Sequence, residues 1–200
     1  MKYNPYIIVD KFEKIIAEWA GSKYAVAVES GTAAIFLSCA YLEVEEVTIP
    51  KHTYPSVPCS IIHAGGWVKF SDAKWKGVYK LKPYEIYDSA LRFKQGMYKG
   101  GLYCLSFHMK KHLPIGRGGM ILTDDIKAYK WLKRARFDGR RELPLEEDEF
   151  DMIGWNMYMT PDQAARGIML FSTIDQKGNK DLDVNKQGYP DLSKSNVYTT

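Results

Sequence analysis

The sequence has few cysteines and histidines, and this scarcity excludes several kinds of site. Three cysteines and four histidines occur in 200 residues, and no two cysteines form a Cys-x-x-Cys pair. Because Cys39, Cys59 and Cys104 are odd in number and lie in apolar runs, they indicate buried free thiols in a reducing compartment. The histidines show no metal-ligand spacing, so we predict no metal site.

Long hydrophobic runs and a strong charge excess are also absent. No stretch approaches the length of a membrane span, and no basic segment at the start is followed by an apolar run. We therefore expect a cytoplasmic protein with no membrane partner. Lysine and arginine number 28 against 24 acidic residues, a net charge of +4 that favours small anionic ligands and argues against nucleic acid.

Apolar periodicity predicts helices alternating with strands, in a chain long enough for one buried domain. Short connections between such elements imply an α/β fold with a largely parallel sheet covered by helices on both faces. Ligands of these sheets bind at the carboxyl ends of the strands. The expected helices cover about 12–19, 33–41, 55–64 and 126–136 and one that opens at 160; the expected strands cover about 24–28, 47–49, 67–70, 84–88, 103–107 and 120–123.

Two helix starts have recognisable capping residues. Asp10 and Glu13 have the spacing of a capping box, and Thr160 and Gln163 repeat it with a proline between them. The basic run at 133–141 fits two interpretations, a solvated helix face or a site for the phosphates of a nucleotide.

Three clusters at predicted strand ends carry groups suited to chemistry. Ser30-Gly31-Thr32 turns a strand into a helix without bulky side chains, which fits a phosphate cradle as well as an ordinary turn. Asp88 ends a second strand. Lys111 follows Ser106 at the end of a third and precedes a glycine-rich loop, so it is either a covalent amine nucleophile or a solvated lysine.

In their order and spacing, these clusters resemble the DegT/DnrJ/EryC1/StrS family, the pyridoxal-phosphate-dependent aminotransferases that aminate keto-sugar nucleotides. The resemblance covers roughly residues 9 to 170. Each motif is weak alone, and the ordered set is specific. The motifs are Phe12-Glu13, Ser30-Gly31-Thr32-Ala33-Ala34, Ile49-Pro50 with Thr53-Tyr54, Ala64-Gly65-Gly66, Tyr87-Asp88-Ser89-Ala90, Ser106-Phe107 with Lys111, Gly116-Arg117-Gly118-Gly119-Met120 and Gly154-Trp155-Asn156.

The resemblance implies the large domain of an aspartate aminotransferase-like (fold type I) transferase, in truncated form, with pyridoxal 5'-phosphate as cofactor. Lys111 would form the Schiff base and move the proton during amino transfer. Asp88 would pair with the protonated pyridine nitrogen and keep the ring an electron sink. These two residues are the implied catalytic groups.

The same resemblance assigns the remaining cofactor contacts. Tyr54 would stack on the ring, and Gly31, Thr32 and Ser106 would hold the phosphate. Asn156 would reach the phosphate from the other subunit of a homodimer. The implied reaction transfers an amino group from glutamate or glutamine to a keto-sugar nucleotide.

The chain departs from the family pattern at several places. Leu91 stands where a glutamine or histidine usually bonds the cofactor, and Arg117 stands where an acidic residue is common. The segment between Phe70 and Asp88 is much shorter than in the family, so we expect one sheet strand fewer.

The end of the chain changes character. We divide the chain into a minimal cofactor-binding domain at 1–174 and an extension at 175–200, for which packing on a partner subunit is one expectation. The small domain that follows in the family is not recognisable there. Two alternatives therefore remain: a cofactor-binding or interaction protein with little turnover, and a sugar dehydratase, which has histidine in place of the lysine that is present here as Lys111.

Overall fold

The computed structural model describes residues 4–174 and 179–198 and confirms the α/β class. A five-stranded sheet has the order β1-β7-β6-β5-β4, and β2 and β3 form a second, two-stranded sheet. The helices are α1 (Ile7–Ala20), α2 (Gly31–Tyr41), α3 (Ser56–His63), α4 (Ile126–Ala135) and α5 (Pro161–Thr173). The strands are β1 (Tyr24–Val28), β2 (Glu46–Pro50), β3 (Trp67–Ser71), β4 (Tyr79–Leu81), β5 (Ile86–Asp88), β6 (Leu102–Ser106) and β7 (Gly119–Thr123).

The main sheet is mixed, which corrects the expectation of a largely parallel one. β5 and β6 run parallel, whereas β1 with β7, β6 with β7 and β4 with β5 are antiparallel. The reason lies in the connections. Residues 82–85 and the glycine-rich loop 107–118 contain no helix, and a parallel crossover needs a connection of a dozen or more residues, usually a helix.

β4 lies in the short segment where we expected one strand fewer, and periodicity did not predict it. It has only three residues, too few for an alternating pattern to stand out. Directly after it, the backbone of Lys82 exchanges two hydrogen bonds with Thr48 of β2, with N···O distances of 2.8 and 3.1 Å. This bridge places the two-stranded sheet beside the edge of the larger one.

The core has two parts, one on each face of the main sheet. Helices α2, α3 and α4 pack on one face, and α1 and α5 pack on the other. β6 shows the division directly, because Cys104 points to the first cluster and Leu105 to the second, as alternation along a strand requires. With both faces covered, β6 is apolar along most of its length and its polar groups are confined to its end.

A buried ion pair closes the free edge of β1. The Glu13 carboxylate accepts the backbone N–H of Ala27 at 2.8 Å, and the Arg136 guanidinium donates to both Glu13 and the Ala27 carbonyl. Both side chains are buried, Arg136 at 2% exposure. The predicted capping box of Asp10 and Glu13 is wrong, because α1 begins at Ile7 and Glu13 lies within it.

The other capping prediction is confirmed. Thr160 caps α5, and the Gln163 side chain accepts the backbone N–H of Thr160 at 2.9 Å. No helix in 4–174 or 179–198 is long and apolar enough to cross a membrane.

Residues 179–198 of the predicted extension lie on the body of their own chain. The Asp181 carboxylate pairs with Arg92 at 2.7 Å and with Lys94 at 2.9 Å. Further along, Asp191 pairs with Lys51 at 3.2 Å, and the side chain of Leu192 is buried. These contacts are with the segment's own chain, and its packing on a partner subunit stays a prediction; residues 175–178 and 199–200 lie outside the described part.

The buried pair predicts a large loss of stability when one partner is removed. Arg136→Met removes the more deeply buried of the two cations at Glu13, the other being Lys133, and leaves the Ala27 carbonyl without its donor. We expect the free energy of unfolding to fall by about 3 kcal/mol. Urea denaturation followed by circular dichroism measures this change.

The control is Arg141→Gln, which removes a cation from an exposed pair with Glu149. This variant should lower the free energy of unfolding by less than about 1 kcal/mol. Equal losses in the two variants would contradict the structural role assigned to Arg136.

Candidate active site

A pocket of about 290 Å³ lies where β5 and β6 end and α2 begins. Strands β1, β5 and β6 run in the same direction, so their carboxyl ends meet at one edge of the sheet. Six of the seven residues expected to hold a cofactor line this pocket. They are Gly31, Thr32, Tyr54, Asp88, Ser106 and Lys111.

The first turn of α2 forms one end of the pocket. Ser30 caps the helix, its Oγ accepting the Ala33 N–H at 3.0 Å. A Cβ on Gly31 would lie 2.8 Å from the Cβ of Ser106, so glycine lets the helix start approach the end of β6. The hydroxyl of Thr32 donates to Ser56 at 2.9 Å. First-turn N–H groups have no partner within the helix and attract an anion together with the helix dipole.

Asp88 is a buried carboxylate on the pocket wall, with 4% of its surface exposed. Burial raises its pKa, while hydrogen bonds from the Ala90 N–H and the Tyr79 hydroxyl and the positive charge of Lys111 act in the opposite direction. The Ala90 N–H lies 3.0 Å from Oδ1. Tyr79 is itself fixed by Thr53, with 2.6 Å between the two hydroxyl oxygens.

Lys111 lies in a turn just past β6, where its N–H donates to the His108 carbonyl at 2.8 Å. Burial lowers the pKa of its ammonium group, the Asp88 carboxylate raises it, and the neighbouring Lys110 lowers it. Lys110 also lines the pocket but is exposed. Of the two lysines, Lys111 is the half-buried one that interacts with Asp88.

The outer wall of the pocket is aromatic, and most of it was not predicted. Tyr54 is 56% exposed and meets the Tyr189 ring edge to face at 6.2 Å between centroids. Tyr189 lies nearly parallel to Trp75, with an interplanar angle of 11° and a centroid distance of 6.4 Å. Burial, Asp88 and Tyr54 together raise the pKa of the Tyr189 hydroxyl.

Tyr189 and Gln187 reach the pocket from the extension. The Tyr189 carbonyl lies 3.2 Å from Nδ1 of His52, and the Asp191 contact with Lys51 follows two residues later. No pattern in this polar, aperiodic segment identifies Tyr189 as a pocket residue. The sequence offered one weak indication that Trp75 is a pocket residue: it is a large aromatic side chain in an otherwise lysine-rich stretch.

Asn156, the seventh predicted residue, does not line the pocket of its own chain. Its amide donates to Asp138 at 3.1 Å. At the two departures from the family pattern, Leu91 is fully buried in the core, and Arg117 lines the pocket and pairs with Glu29 at 2.5 Å. Among the described residues, no group of three histidine, cysteine or acidic side chains is placed to hold a metal ion.

The model of the DegT/DnrJ/EryC1/StrS aminotransferase family matches residues 3–88 and 94–186. GDP-perosamine synthase of Caulobacter vibrioides is 24% identical over 83% of this chain and 57% of its own length. UDP-4-amino-4,6-dideoxy-N-acetyl-beta-L-altrosamine transaminase of Campylobacter jejuni is 21% identical over 96% of this chain and 64% of its own length. The chain thus spans less than two thirds of these curated relatives.

Solved structures show the same fold. A DegT DnrJ EryC1 StrS aminotransferase from Brucella abortus superposes with a TM-score of 0.73 at 19% identity, covering 86% of this chain and 60% of that one. DesV of S. venezuelae, solved in complex with a ketimine intermediate, gives a TM-score of 0.70 at 18% identity, with coverages of 84% and 57%.

The charges around Lys111 predict its titration. We expect the ammonium group to lose its proton below the ordinary pKa of 10.5, because burial outweighs the Asp88 charge. In Asp88→Asn the midpoint should move still lower, because the carboxylate that raises the pKa is gone. Lysines reductively methylated with ¹³C-formaldehyde report these midpoints by NMR, with Lys111→Arg assigning the signal.

Asp72→Asn is the matched control, since Asp72 pairs with Lys51 outside the pocket. It should leave the Lys111 midpoint unchanged. A midpoint at or above 10.5 in the parent protein, or an upward shift in Asp88→Asn, would show that the pocket does not act on Lys111 in this way.

Proposed function

The chain belongs to the DegT/DnrJ/EryC1/StrS aminotransferase family, and from this we propose that it is a pyridoxal-phosphate-dependent aminotransferase. The reaction moves an amino group from an amino acid donor, glutamate or glutamine, to a keto-sugar nucleotide. One observation carries the proposal: the helix start at Gly31, the carboxylate of Asp88 and the amine of Lys111 converge on one pocket. The names of the relatives, which include nucleotide-sugar transaminases, support the substrate class.

The pocket residues fit the four chemical features of pyridoxal phosphate. The α2 start with Thr32 and Ser106 suits the phosphate, and the aromatic wall at Tyr54 suits the ring. Asp88 suits the pyridine nitrogen, because a cation beside this buried carboxylate offsets the cost of its burial. Lys111 supplies the amine for the aldehyde. The bound cofactor would supply the electron sink that amino transfer requires.

Lys111 has two tasks in this proposal, and its lowered pKa serves both. A neutral amine can attach the cofactor covalently through Nζ, whereas an ammonium group cannot. With cofactor and substrate bound, the neutral Nζ of Lys111 would also be the base placed to accept a proton from the substrate carbon and to give it back. Burial favours the neutral form that each task needs.

Asp88 has a static role in this proposal, whereas Lys111 is the residue that accepts and donates a proton. Hydrogen bonds from Ala90 and Tyr79 hold the carboxylate in place and favour its charged form. A charged Asp88 would hold the pyridine nitrogen of the bound cofactor in its protonated form. Tyr79 acts as a positioning residue, because it touches Asp88 and is held in turn by Thr53.

We further propose a homodimer in which Asn156 completes the pocket of the partner. In its own chain Asn156 is exposed and lies outside the pocket, while the strongly exposed side chains of Ile153 and Phe150 lie within a few residues of it. Sedimentation velocity of the 22.9 kDa chain tests this arrangement. A species of twice that mass is the expected result, and a monomer at micromolar concentration would rule out the shared site.

The cofactor proposal predicts a visible absorbance band. Purified protein mixed with pyridoxal phosphate should absorb in the visible, because the covalently held ring is conjugated to the lysine nitrogen. Lys111→Ala should abolish the band, whereas Lys110→Ala should keep it, because Lys110 is exposed beside the pocket. Spectrophotometric titration with the cofactor measures both variants under the same conditions.

Addition of glutamate then separates cofactor binding from turnover. Bleaching of the band indicates transfer of the amino group and supports an aminotransferase. An unchanged spectrum would leave a cofactor-binding protein without turnover, and no band in the parent protein would defeat the cofactor hypothesis.

A further inference from the structure

A second cavity, of about 470 Å³, lies beside the pocket and is strongly basic. Trp75 lines both cavities, so they are direct neighbours. Within 4–174 and 179–198, no carboxylate lines the second one. Its lining contains four lysines, here called the lysine cleft: Lys74, Lys76, Lys80 and Lys82.

Most of the charge in the lysine cleft is unpaired. Lys74, Lys76 and Lys82 are exposed, and none of them pairs with a carboxylate within 4–174 or 179–198. Lys80 is the exception, because it pairs with Glu85. Three like charges around one cavity repel each other unless an anion lies between them.

Apart from Glu85, two further carboxylates close to the cleft, Asp72 and Asp181, are engaged with cations outside it. Asp72 pairs with Lys51 at 2.7 Å. Asp181, which lies under Gly77, pairs with Arg92 and Lys94. The lysine cleft therefore keeps its positive charge in the folded chain.

The basic run at 133–141 differs from the lysine cleft, because its cations are paired with carboxylates. Lys133 pairs with Asp10, Glu13 and Glu142, and Arg136 is buried against Glu13. Arg134 and Arg141 pair with acidic side chains as well. The run that the sequence suggested as a nucleotide-phosphate site thus has its cations occupied in internal pairs, and the lysine cleft is the stronger anion site.

The backbone under the lysines is well anchored. Lys80 lies in β4 and Lys82 directly follows its last residue, the buried Leu81. The Lys82 backbone is paired with Thr48, and the Val78 N–H donates to the Lys76 carbonyl at 2.8 Å across a tight turn. The cations therefore project from fixed positions, which lowers the entropic cost of gathering them around a ligand.

We propose that the lysine cleft binds the diphosphate group of the sugar substrate, a nucleoside diphosphate sugar, and so directs the sugar toward the pocket across Trp75. A diphosphate carries clustered negative charge and several acceptor oxygens, which lysine ammonium groups bind as point charges. This inference deepens the proposed function and rests on it for the identity of the substrate.

Calorimetry on the full chain without cofactor tests the cleft by itself. The probes are inorganic pyrophosphate, GDP and UDP, with inorganic phosphate as the weaker anion. The triple variant Lys74→Gln, Lys76→Gln, Lys82→Gln should lose at least about tenfold in affinity for pyrophosphate and both nucleotides, since each charge-assisted contact contributes more than a neutral one. The parent affinity should also fall as salt is added.

The matched control removes the same charge elsewhere. Lys99→Gln, Lys127→Gln, Lys130→Gln changes three exposed lysines outside the cleft and should keep the parent affinity. Circular dichroism of both triple variants confirms that they fold. Equal losses in the two variants would mean nonspecific charge attraction, and no pyrophosphate binding, or unchanged binding in the cleft variant, would overturn the inference.

The calorimetric test of the lysine cleft and the absorbance test of the cofactor have separate outcomes. A band with no lysine-dependent diphosphate binding would overturn the cleft and leave the aminotransferase proposal standing. Lysine-dependent binding without a band would defeat the aminotransferase and retain a diphosphate site.

Discussion

The buried pair of Glu13 and Arg136 is the interaction on which the rest of the structure depends. β1 lies at the edge of the main sheet, and an open edge exposes unpaired backbone groups. The pair satisfies the N–H and the carbonyl of Ala27 with one side chain from α1 and one from the residue that caps the end of α4, so it ties two helices to the strand. Three residues further along, the chain reaches Ser30 and the start of α2, so this tie also sets the position of the anion-binding end of the pocket.

Sequence patterns predicted the elements and the inner pocket because those features are local or recur in a fixed order. Asp88 and Ser106 end an apolar strand, Gly31 and Lys111 come shortly after one, and the carboxyl ends of strands running in one direction meet. Glu13 was misread because its spacing from Asp10 also fits a helix cap. Only the fold shows that its partner lies more than a hundred residues away.

The direction of the strands and the outer wall could not be predicted, for different physical reasons. Periodicity reports which faces are buried and carries no information about whether neighbouring strands run parallel. β4 has only three residues, too few for an alternating pattern, so its pairing with β5 is visible only in the fold. Trp75 and Tyr189 meet through tertiary contacts between a lysine-rich turn and a polar extension, and neither segment has a periodicity that points to the other.

The extension adds a thermodynamic linkage to the pocket. Its docking depends on surface contacts such as those of Asp181, whose pairs with Arg92 and Lys94 lower its pKa to about 2, so the carboxylate stays charged except in strong acid. Any ligand that touches Tyr189 binds more tightly when the segment is docked. By reciprocity, a ligand bound in the pocket stabilises the docking of the extension by the same free energy. Occupancy of the pocket that contains Lys111 is therefore coupled to the docking of a segment more than seventy residues downstream.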